Sequence, residues 1–389
     1  MSESIADTKG FGPVVCVVGA RPNYMKMAPI LRAFDKHVPA IPWVLVHTGQ
    51  HYDKDMNDKL FEDLELPRPH INLDVGSSTH AVQTAEVMRR FEPVIDQHHP
   101  ACVIVVGDVN SSLACALVAV KKNVLTVHVE AGLRSYDRRM PEEINRILTD
   151  QIADRLYTTE RSAAENLRLE GISSERVSFV GNVMIDSLTA NRSAARAARD
   201  TLLSGGFDTS VLDSINGFGV VTLHRPSNVD FHDKLKEILE ILTDISANLP
   251  LIFALHPRTR ANIDRFNLMR LIDPNRMLLL PPQGYLEMLG LMSEATVVLT
   301  DSGGLQEETT ALGVPCLTIR ENTERPITVE QGTNILVGTD RKAMVSGVQE
   351  ILAGHGKRGR VPELWDGRAA ERLAADLWLW LRTVKNTAT

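Results

Sequence analysis

Three carboxylates in the first half of the chain stand where they could move a proton to or from a carbon atom. Asp108 and Glu130 each follow an apolar, strand-like run, and Glu142 stands at a predicted helix start. Proton removal from carbon needs a positioned base, and burial or mutual repulsion raises the pKa of a carboxylate toward neutrality. The residues alone also allow Asp108 to cap a helix and Glu142 to serve only at a helix start, whereas Glu130 has no obvious solvent-facing task.

A second group of residues favours the binding of an anion. Segment 298–308 runs from an apolar stretch through three small residues into a predicted helix, whose free N–H groups and dipole suit a diphosphate. The three are Ser302, Gly303 and Gly304. Glu308, two turns into the helix, is placed to reach a pair of ribose hydroxyls. Glycine-rich turns of this kind also occur without a ligand, so the motif alone leaves both interpretations open.

Cationic side chains follow other predicted strands. Arg21 and Lys26 lie about one helical turn apart after the first strand, and Arg325 lies on a loop after a later one. A guanidinium fork recognises phosphate well, although single loop arginines are usually solvated. His224 ends the first strand of the second half, where we expect it to face a phosphate or a proton-transfer path. A purely structural role is the alternative for this histidine.

Composition and charge narrow the class of ligand. The 389 residues are 43% hydrophobic, and their net charge of −7 without a basic stripe argues against nucleic acid or an anionic membrane as a partner. No His, Cys, Asp or Glu cluster has metal-ligand spacing and no dinucleotide or P-loop fingerprint follows a strand, so no cofactor is implied. The polar start and four scattered cysteines are typical of a cytoplasmic protein.

Alternating strand-like and helical patterns predict the elements that position these residues. Strand-like runs cover 14–20, 43–49, 101–108 and 125–132, and then 219–225, 250–256, 276–282, 296–302 and 315–321. Such alternation is typical of βαβ units and parallel sheets, which bind ligands at the carboxyl ends of their strands. We therefore predict an α/β protein with two Rossmann-like, parallel-sheet domains facing a central cleft. The residues at or just after predicted strand ends are Arg21, His51, Asp108, Glu130, His224, His256 and Asp301.

Taken together, the motifs resemble those of the non-hydrolysing UDP-N-acetylglucosamine 2-epimerases over nearly the whole chain. The resemblance is carried, in order, by GARPNYMKMAPI, TGQHYD, GDVNSSLA, HVEAGLRS, MPEEINR, VGNVMIDSL, TLHRPSNVD, LTDSGGLQEE and ENTERPITVEQGT. It implies the glycosyltransferase-B type fold, a homodimer and cofactor-free chemistry. That chemistry is anti elimination of UDP to a 2-acetamidoglucal, followed by re-addition of UDP to give the other epimer.

The resemblance also implies a role for each candidate residue. Asp108, Glu130 and Glu142 are then the acid/base carboxylates, and His224 is an essential group near the diphosphate. The residues implied to contact UDP or the sugar are Arg21, His51, Ser302, Gly303, Gly304, Glu308 and Arg325, with Lys26 as a supporting cation. Similar sequences act on UDP-diacetamido-uronic acids, and a glycosyltransferase or a nucleotide-sugar sensor on the same fold are further alternatives.

Domain boundaries are predicted from the same patterns. Residues 1–188 form the N-terminal domain, and 189–217, rich in Ala, Arg, Ser and Gly, form a hinge and linker. Residues 218–369 form the C-terminal domain, and the resemblance implies that this domain binds UDP. The C-terminal helix, 370–389, is expected to pack back on the first domain.

Overall fold

The computed structural model describes residues 11–49 and 61–388, and the chain divides into two compact units. Unit 1 contains the chain up to Thr189 and again from Glu363 onward, whereas unit 2 is Ala190–Pro362. His51 lies outside the described residues, and so does the side chain of Arg21.

Unit 1 is built on a parallel sheet of seven strands in the described part of the chain. The strands are β1 (Val14–Val18), β2 (Trp43–His47), β3 (Ile71–Asn72), β4 (Cys102–Val106), β5 (Leu125–Val129), β6 (Arg155–Thr158) and β7 (Val177–Phe179). Their order is β3-β2-β1-β4-β5-β6-β7. The central strands are apolar throughout because helices cover both faces of a parallel sheet. The strand order reverses between β1 and β4, which opens a crevice at their carboxyl ends.

Helices follow the strands of unit 1 and cover its sheet. They are α1 (Arg21–Lys36), α2 (His80–His98), α3 (Asn110–Lys121), α4 (Pro141–Ile152), α5 (Arg161–Leu169) and α6 (Val183–Asn191). A proline occupies the first turn of α1 and of α4, where its missing N–H leaves no helical bond unmade.

Unit 2 repeats the same plan on a six-stranded parallel sheet. The strands are β8 (Gly219–Thr222), β9 (Leu251–Ala254), β10 (Met277–Leu280), β11 (Val297–Thr300), β12 (Cys316–Thr318) and β13 (Asn334–Leu336). Their order is β10-β9-β8-β11-β12-β13, so the reversal falls between β8 and β11. An apolar core forms between this sheet and its helices, with Phe253 and Leu299 fully buried.

The helices of unit 2 include one in the predicted linker. They are α7 (Ala198–Ser204), α8 (Pro226–Val229), α9 (His232–Ser246), α10 (Pro257–Arg265), α11 (Tyr285–Glu294), α12 (Gly303–Leu312), α13 (Pro326–Glu330) and α14 (Arg341–Leu352). Ala198 and Leu202 of α7 are buried in the core of unit 2.

The last helix, α15 (Ala369–Ala388), belongs to unit 1 and packs on α1. Asp186 accepts the N–H groups of Ala369 and Ala370, at 3.1 and 2.7 Å, where this helix begins. Asp376, farther along the helix, binds the guanidinium of Arg155 on β6.

The predicted α/β architecture with two parallel sheets is confirmed, and each predicted strand-like run contains a strand. Four strands lie outside those runs because they are short or polar: β3, β6, β7 and β13. Across the described residues, no helix combines the length and apolar character needed to cross a membrane.

Candidate active site

Asp108 and Glu130 follow β4 and β5, which are paired strands at the carboxyl edge of the sheet of unit 1. The register pairs Val106 with Val129, so the two acids leave the sheet at adjacent places. This confirms the expectation that each of the two acids follows a strand. Val109, rather than Asp108, is the N-cap of α3, and the Val109 side chain makes no capping hydrogen bond.

Arg146, from α4, holds Asp108 in an ion pair. The same guanidinium lies 2.5 Å from the buried Glu143, and Asn145 donates to the backbone carbonyl of Asp108 at 2.9 Å. The side chain of Arg146 is 3% exposed and that of Asp108 is 25% exposed, so the carboxylate is the outer member of the pair. Sequence reasoning missed Arg146, although it lies one helical turn after Glu142.

Glu130 is buried in an ion pair with Lys26 of α1. Its backbone has φ +72°, a left-handed conformation that is uncommon for a residue with a side chain. A Cβ added at Gly107 would lie 3.1 Å from Lys26 Nζ and 3.8 Å from Glu130 Oε2, so the pair lies over the turn that precedes Asp108.

Glu142 lies in the first turn of α4 and is half-buried. Within the described part of the chain it makes no hydrogen bond or ion pair. The next residue, Glu143, is the buried one, and it accepts the N–H groups of Ser135 and Tyr136 at 3.0 and 2.8 Å. The helix-start position is as predicted, and the structure does not bring Glu142 into hydrogen-bonded contact with either of the other two acids.

In unit 2, His224 and Asp301 lie where the strand order reverses. His224 Nδ1 lies 2.8 Å from Asp301 Oδ1, and the ring is 37% exposed above the fully buried carboxylate. Asp301 also accepts the N–H of Arg225 at 2.9 Å and the amide of Asn228 at 3.1 Å. Although burial raises the pKa of Asp301, His224 and these backbone N–H groups hold it below its ordinary value. The carboxylate thus orients the imidazole and leaves Nε2 for a ligand.

The Ser-Gly-Gly turn is the start of α12, as predicted. Ser302 is the N-cap, and its own side chain makes no capping hydrogen bond. Gly303 is buried, and a Cβ there would lie only 2.6 Å from Glu324 Oε1, so this close approach requires glycine. Gly304 is half-buried. Free N–H groups at such a start favour an anion.

Buried arginines surround Glu324 beside this turn. Glu324 binds Arg320 at 2.8 Å and lies 3.7 Å from Arg225, while Arg325 binds Glu307 at 2.8 Å. Burial raises the pKa of Glu324, but Arg325, Arg320 and Arg225 together hold it well below its ordinary value. Arg325 is 5% exposed, so it is not a solvated loop arginine. Sequence reasoning missed the other two arginines and both carboxylates, since no spacing signals their proximity.

Glu308 is buried in the second turn of α12 beside Tyr285, the first residue of α11. Burial and the neighbouring Glu308 carboxylate raise the pKa of the Tyr285 hydroxyl far above its ordinary value. His256, the other strand-end histidine of this unit, is exposed and accepts the N–H of Arg258 at 3.2 Å as the N-cap of α10. Among the described residues, no group of three or more His, Cys, Asp or Glu is arranged to hold a metal ion.

Comparisons with known proteins agree, over most of the chain, with the family resemblance of the sequence motifs. The sequence profile described as UDP-N-acetylglucosamine 2-epimerase matches residues 33–377. The UDP-N-acetylglucosamine 2-epimerase of Methanocaldococcus jannaschii is 41% identical over 360 residues, which cover 92% of this chain and 96% of that protein. The UDP-2,3-diacetamido-2,3-dideoxy-D-glucuronate 2-epimerase of Pseudomonas aeruginosa is 40% identical over 342 residues, covering 87% and 92%.

Solved structures agree with the sequence matches. The crystal structure of the M. jannaschii UDP-GlcNAc 2-epimerase in complex with UDP-GlcNAc and UDP is similar, with a TM-score of 0.83 and 39% identity. The match covers 94% of this chain and 99% of that one. The Neisseria meningitidis enzyme bound to UDP-GlcNAc also has a TM-score of 0.83, at 27% identity. This chain therefore belongs to the UDP-N-acetylglucosamine 2-epimerase family and has its glycosyltransferase-B type fold.

Proposed function

We propose that this protein interconverts UDP-N-acetylglucosamine and UDP-N-acetylmannosamine without hydrolysing them. The observation that carries the proposal is the pair of carboxylates, Asp108 and Glu130, each held by its own cation where β4 and β5 end. A base at carbon 2 is what epimerisation requires, because the proton there must leave and return on the other face.

In the proposed first step, a carboxylate of unit 1 takes the proton from carbon 2 of the sugar. The electron pair of that C–H bond forms the double bond between carbons 1 and 2, and UDP leaves with the electrons of the C1–O bond. In the second step, a UDP oxygen adds to carbon 1 and a proton returns to carbon 2 on the opposite face. Asp108, Glu130 and Glu142 share the acid and base roles.

Unit 2 supplies the groups proposed to hold the departing UDP. The N–H groups of Gly303 and Gly304 at the start of α12 and the Arg325 guanidinium suit a diphosphate, and preorganised donors of this kind stabilise developing negative charge. The N–H of Ser302 itself donates to Thr300 Oγ1 at 3.0 Å. His224, oriented by Asp301, is proposed to face the same diphosphate. Glu308 is proposed to accept hydrogen bonds from ribose hydroxyls, with Arg21, Lys26 and His51 as further ligand contacts.

The decisive experiment is incubation of the purified protein with UDP-N-acetylglucosamine alone in deuterium oxide. We expect UDP-N-acetylmannosamine that carries deuterium at carbon 2 and an intact diphosphate link, detected by NMR and mass spectrometry. Free N-acetylmannosamine as the main product would reassign the chain to hydrolysis. A requirement for an acceptor sugar would indicate a glycosyltransferase.

A second candidate substrate is UDP-2,3-diacetamido-2,3-dideoxy-D-glucuronate, because the P. aeruginosa enzyme named for it is 40% identical. Measuring kcat/KM for both UDP-sugars with the same preparation separates the two candidates. The homodimer implied by the resemblance is also a proposal, which light scattering coupled to size-exclusion chromatography tests.

A further inference from the structure

A buried network of charges lies beneath the ends of β4 and β5. His128 of β5 and Asp150 of α4 are both fully buried. His128 Nδ1 lies 2.6 Å from Asp150 Oδ1, and Nε2 lies 3.0 Å from the carbonyl oxygen of Gly107. The second oxygen of Asp150 accepts the N–H of Gly132 at 3.0 Å and lies 2.7 Å from Arg134.

Both ring nitrogens of His128 are held by buried partners. One nitrogen faces the carbonyl of Gly107 and the other the carboxylate of Asp150, each at hydrogen-bonding distance. Burial raises the pKa of Asp150, but His128 and Arg134 together hold it below its ordinary value, so the carboxylate stays ionised. Because both nitrogens are engaged and the ring is fully buried, neither meets a substrate, so His128 is not an acid or base of the reaction.

The two atoms that the network binds belong to the turns carrying the proposed catalytic acids. Gly107 directly precedes Asp108, and Gly132 comes two residues after Glu130. The backbone φ values of Gly107, Glu130 and Gly132 are +65°, +72° and +80°, so both turns are left-handed. A glutamate in this conformation persists only where its surroundings hold it. His128 binds the first turn and Asp150 the second, and the two side chains bind each other.

We infer that His128 and Asp150 are positioning residues for Asp108 and Glu130, coupling the two turns from which these carboxylates project. The inference rests on the proposed function, since it takes both acids as acting on the sugar. A misplacement of reacting groups by about 1 Å lowers turnover by roughly 100-fold, so loosening these turns is expected to affect chemistry more than ligand binding.

Two substitutions at one position separate the two contacts. In His128→Asn the amide nitrogen replaces Nδ1 and keeps a donor toward Asp150, whereas in His128→Gln it replaces Nε2 and keeps a donor toward Gly107. We expect His128→Asn to lower kcat by roughly 100-fold with KM within about threefold of the wild type. The kcat of His128→Gln should be at least tenfold higher than that of His128→Asn, because the turn before Asp108 stays bound.

Asp154→Asn is the matched control. Asp154 accepts the N–H of Thr126 at 2.8 Å near the start of β5, so it binds the same strand at the end away from the acids. We expect this variant to lower Tm as the His128 variants do and to leave kcat unchanged. Equal loss of kcat in Asp154→Asn and His128→Asn at equal Tm would reduce His128 to a structural role and overturn the inference.

Hydrogen exchange separates this inference from the proposed function. Mass spectrometry of the folded variants should show faster amide exchange in residues 129–133 for Asp150→Asn and in 105–110 for His128→Asn, and no such change for Asp154→Asn. A wild-type protein without epimerase activity would end the proposed function, while this pattern would still support the coupling of the turns. Unchanged exchange in both variants, or wild-type kcat in folded His128→Asn and Asp150→Asn, would overturn the inference.

Discussion

The two sheets of this protein reverse their strand order in the same way but present opposite charges there. In unit 1 the outer member of an ion pair is the acid, since Asp108 is 25% exposed and Arg146 3%. In unit 2 the outer member is the base, since His224 is 37% exposed and Asp301 is fully buried. In these two pairs, each unit buries the charge that the other exposes.

The arginines around Glu324 show the same contrast in exposed charge between the two units. Arg225 is 22% exposed and its partner Glu324 is 4% exposed, so a cation is again outermost in unit 2. The shared topology places polar groups at the strand ends of both sheets. Which member of each ion pair is buried determines the sign of the charge that faces a ligand. Carboxylate oxygens suit proton transfer from carbon, whereas guanidinium and N–H groups suit a phosphate.

The largest expected effect comes from removing the two proposed catalytic acids of unit 1, the partly exposed Asp108 and the buried Glu130. Asp108→Asn and Glu130→Gln should each lower kcat by roughly 100-fold or more, because a general base is lost, while UDP affinity stays within about threefold. Steady-state kinetics and calorimetric titration with UDP measure the two quantities. Asp96→Asn, a surface acid of the same unit, is the control. Undiminished turnover in both acid variants would remove the chemical role from unit 1.

The next effect concerns an arginine of unit 2. Arg325→Gln should raise the Kd for UDP by roughly 10- to 100-fold, the usual loss for a charge-assisted hydrogen bond. Arg258→Gln is the matched control, because Arg258 is half exposed and paired with Asp230. Tm must be followed as well, since the change also removes a partner of the buried Glu307. If both variants bound UDP equally well, unit 2 would not recognise phosphate through Arg325.

A smaller effect is expected from Gly303→Ala at the start of α12. The new Cβ would lie 2.6 Å from Glu324 Oε1, so the carboxylate or the helix start must move, and we expect roughly tenfold weaker UDP binding. Gly347→Ala, whose Cβ would meet only the flexible side chain of Leu317 at 3.2 Å, should bind UDP normally. Wild-type affinity in Gly303→Ala would show that the close approach to Glu324 is dispensable.

The smallest effect is a difference in pH dependence between two buried carboxylates. Burial raises the pKa of Asp186 in unit 1 to about 6 despite the N–H groups of Ala369 and Ala370, whereas the pKa of Asp301 in unit 2 is lowered. A raised pKa in the folded state means that ionisation destabilises the fold. The Asp186 contribution is therefore most favourable below its unfolded pKa near 4 and is lost as the pH rises through 6.

Denaturant unfolding at pH 5 and pH 8 measures this difference. The unfolding free energy of the wild type minus that of Asp186→Asn should fall by about 1 kcal/mol from pH 5 to pH 8. The corresponding difference for Asp301→Asn should stay constant in that range. A lowered pKa makes the contribution of Asp301 disappear only as the pH falls below about 4. An Asp186 difference that did not change with pH would contradict the raised pKa.

Sequence reasoning located the strand ends well and the partners of the site residues poorly. Asp108, Glu130 and His224 were predictable because polar residues after apolar runs collect at one edge of a parallel sheet. Arg146 was not, since its contact with Asp108 spans 38 residues of chain, and the approach of Arg225 to Glu324 spans about 100, which periodicity does not reveal. The left-handed backbone of Glu130 was equally hidden, because glycine, asparagine and aspartate favour such a conformation and glutamate does not.

The return of α15 to unit 1 determines the order in which the protein can fold during synthesis. Leu373 and Leu377 of this helix are fully buried, yet they leave the ribosome after every residue of unit 2. Unit 2 is a continuous segment and can complete its core first. Until α15 is synthesised, the surface of unit 1 that this helix covers stays exposed. A nascent chain that stops before Glu363 therefore leaves unit 1, the first half to be translated, as the unfinished half.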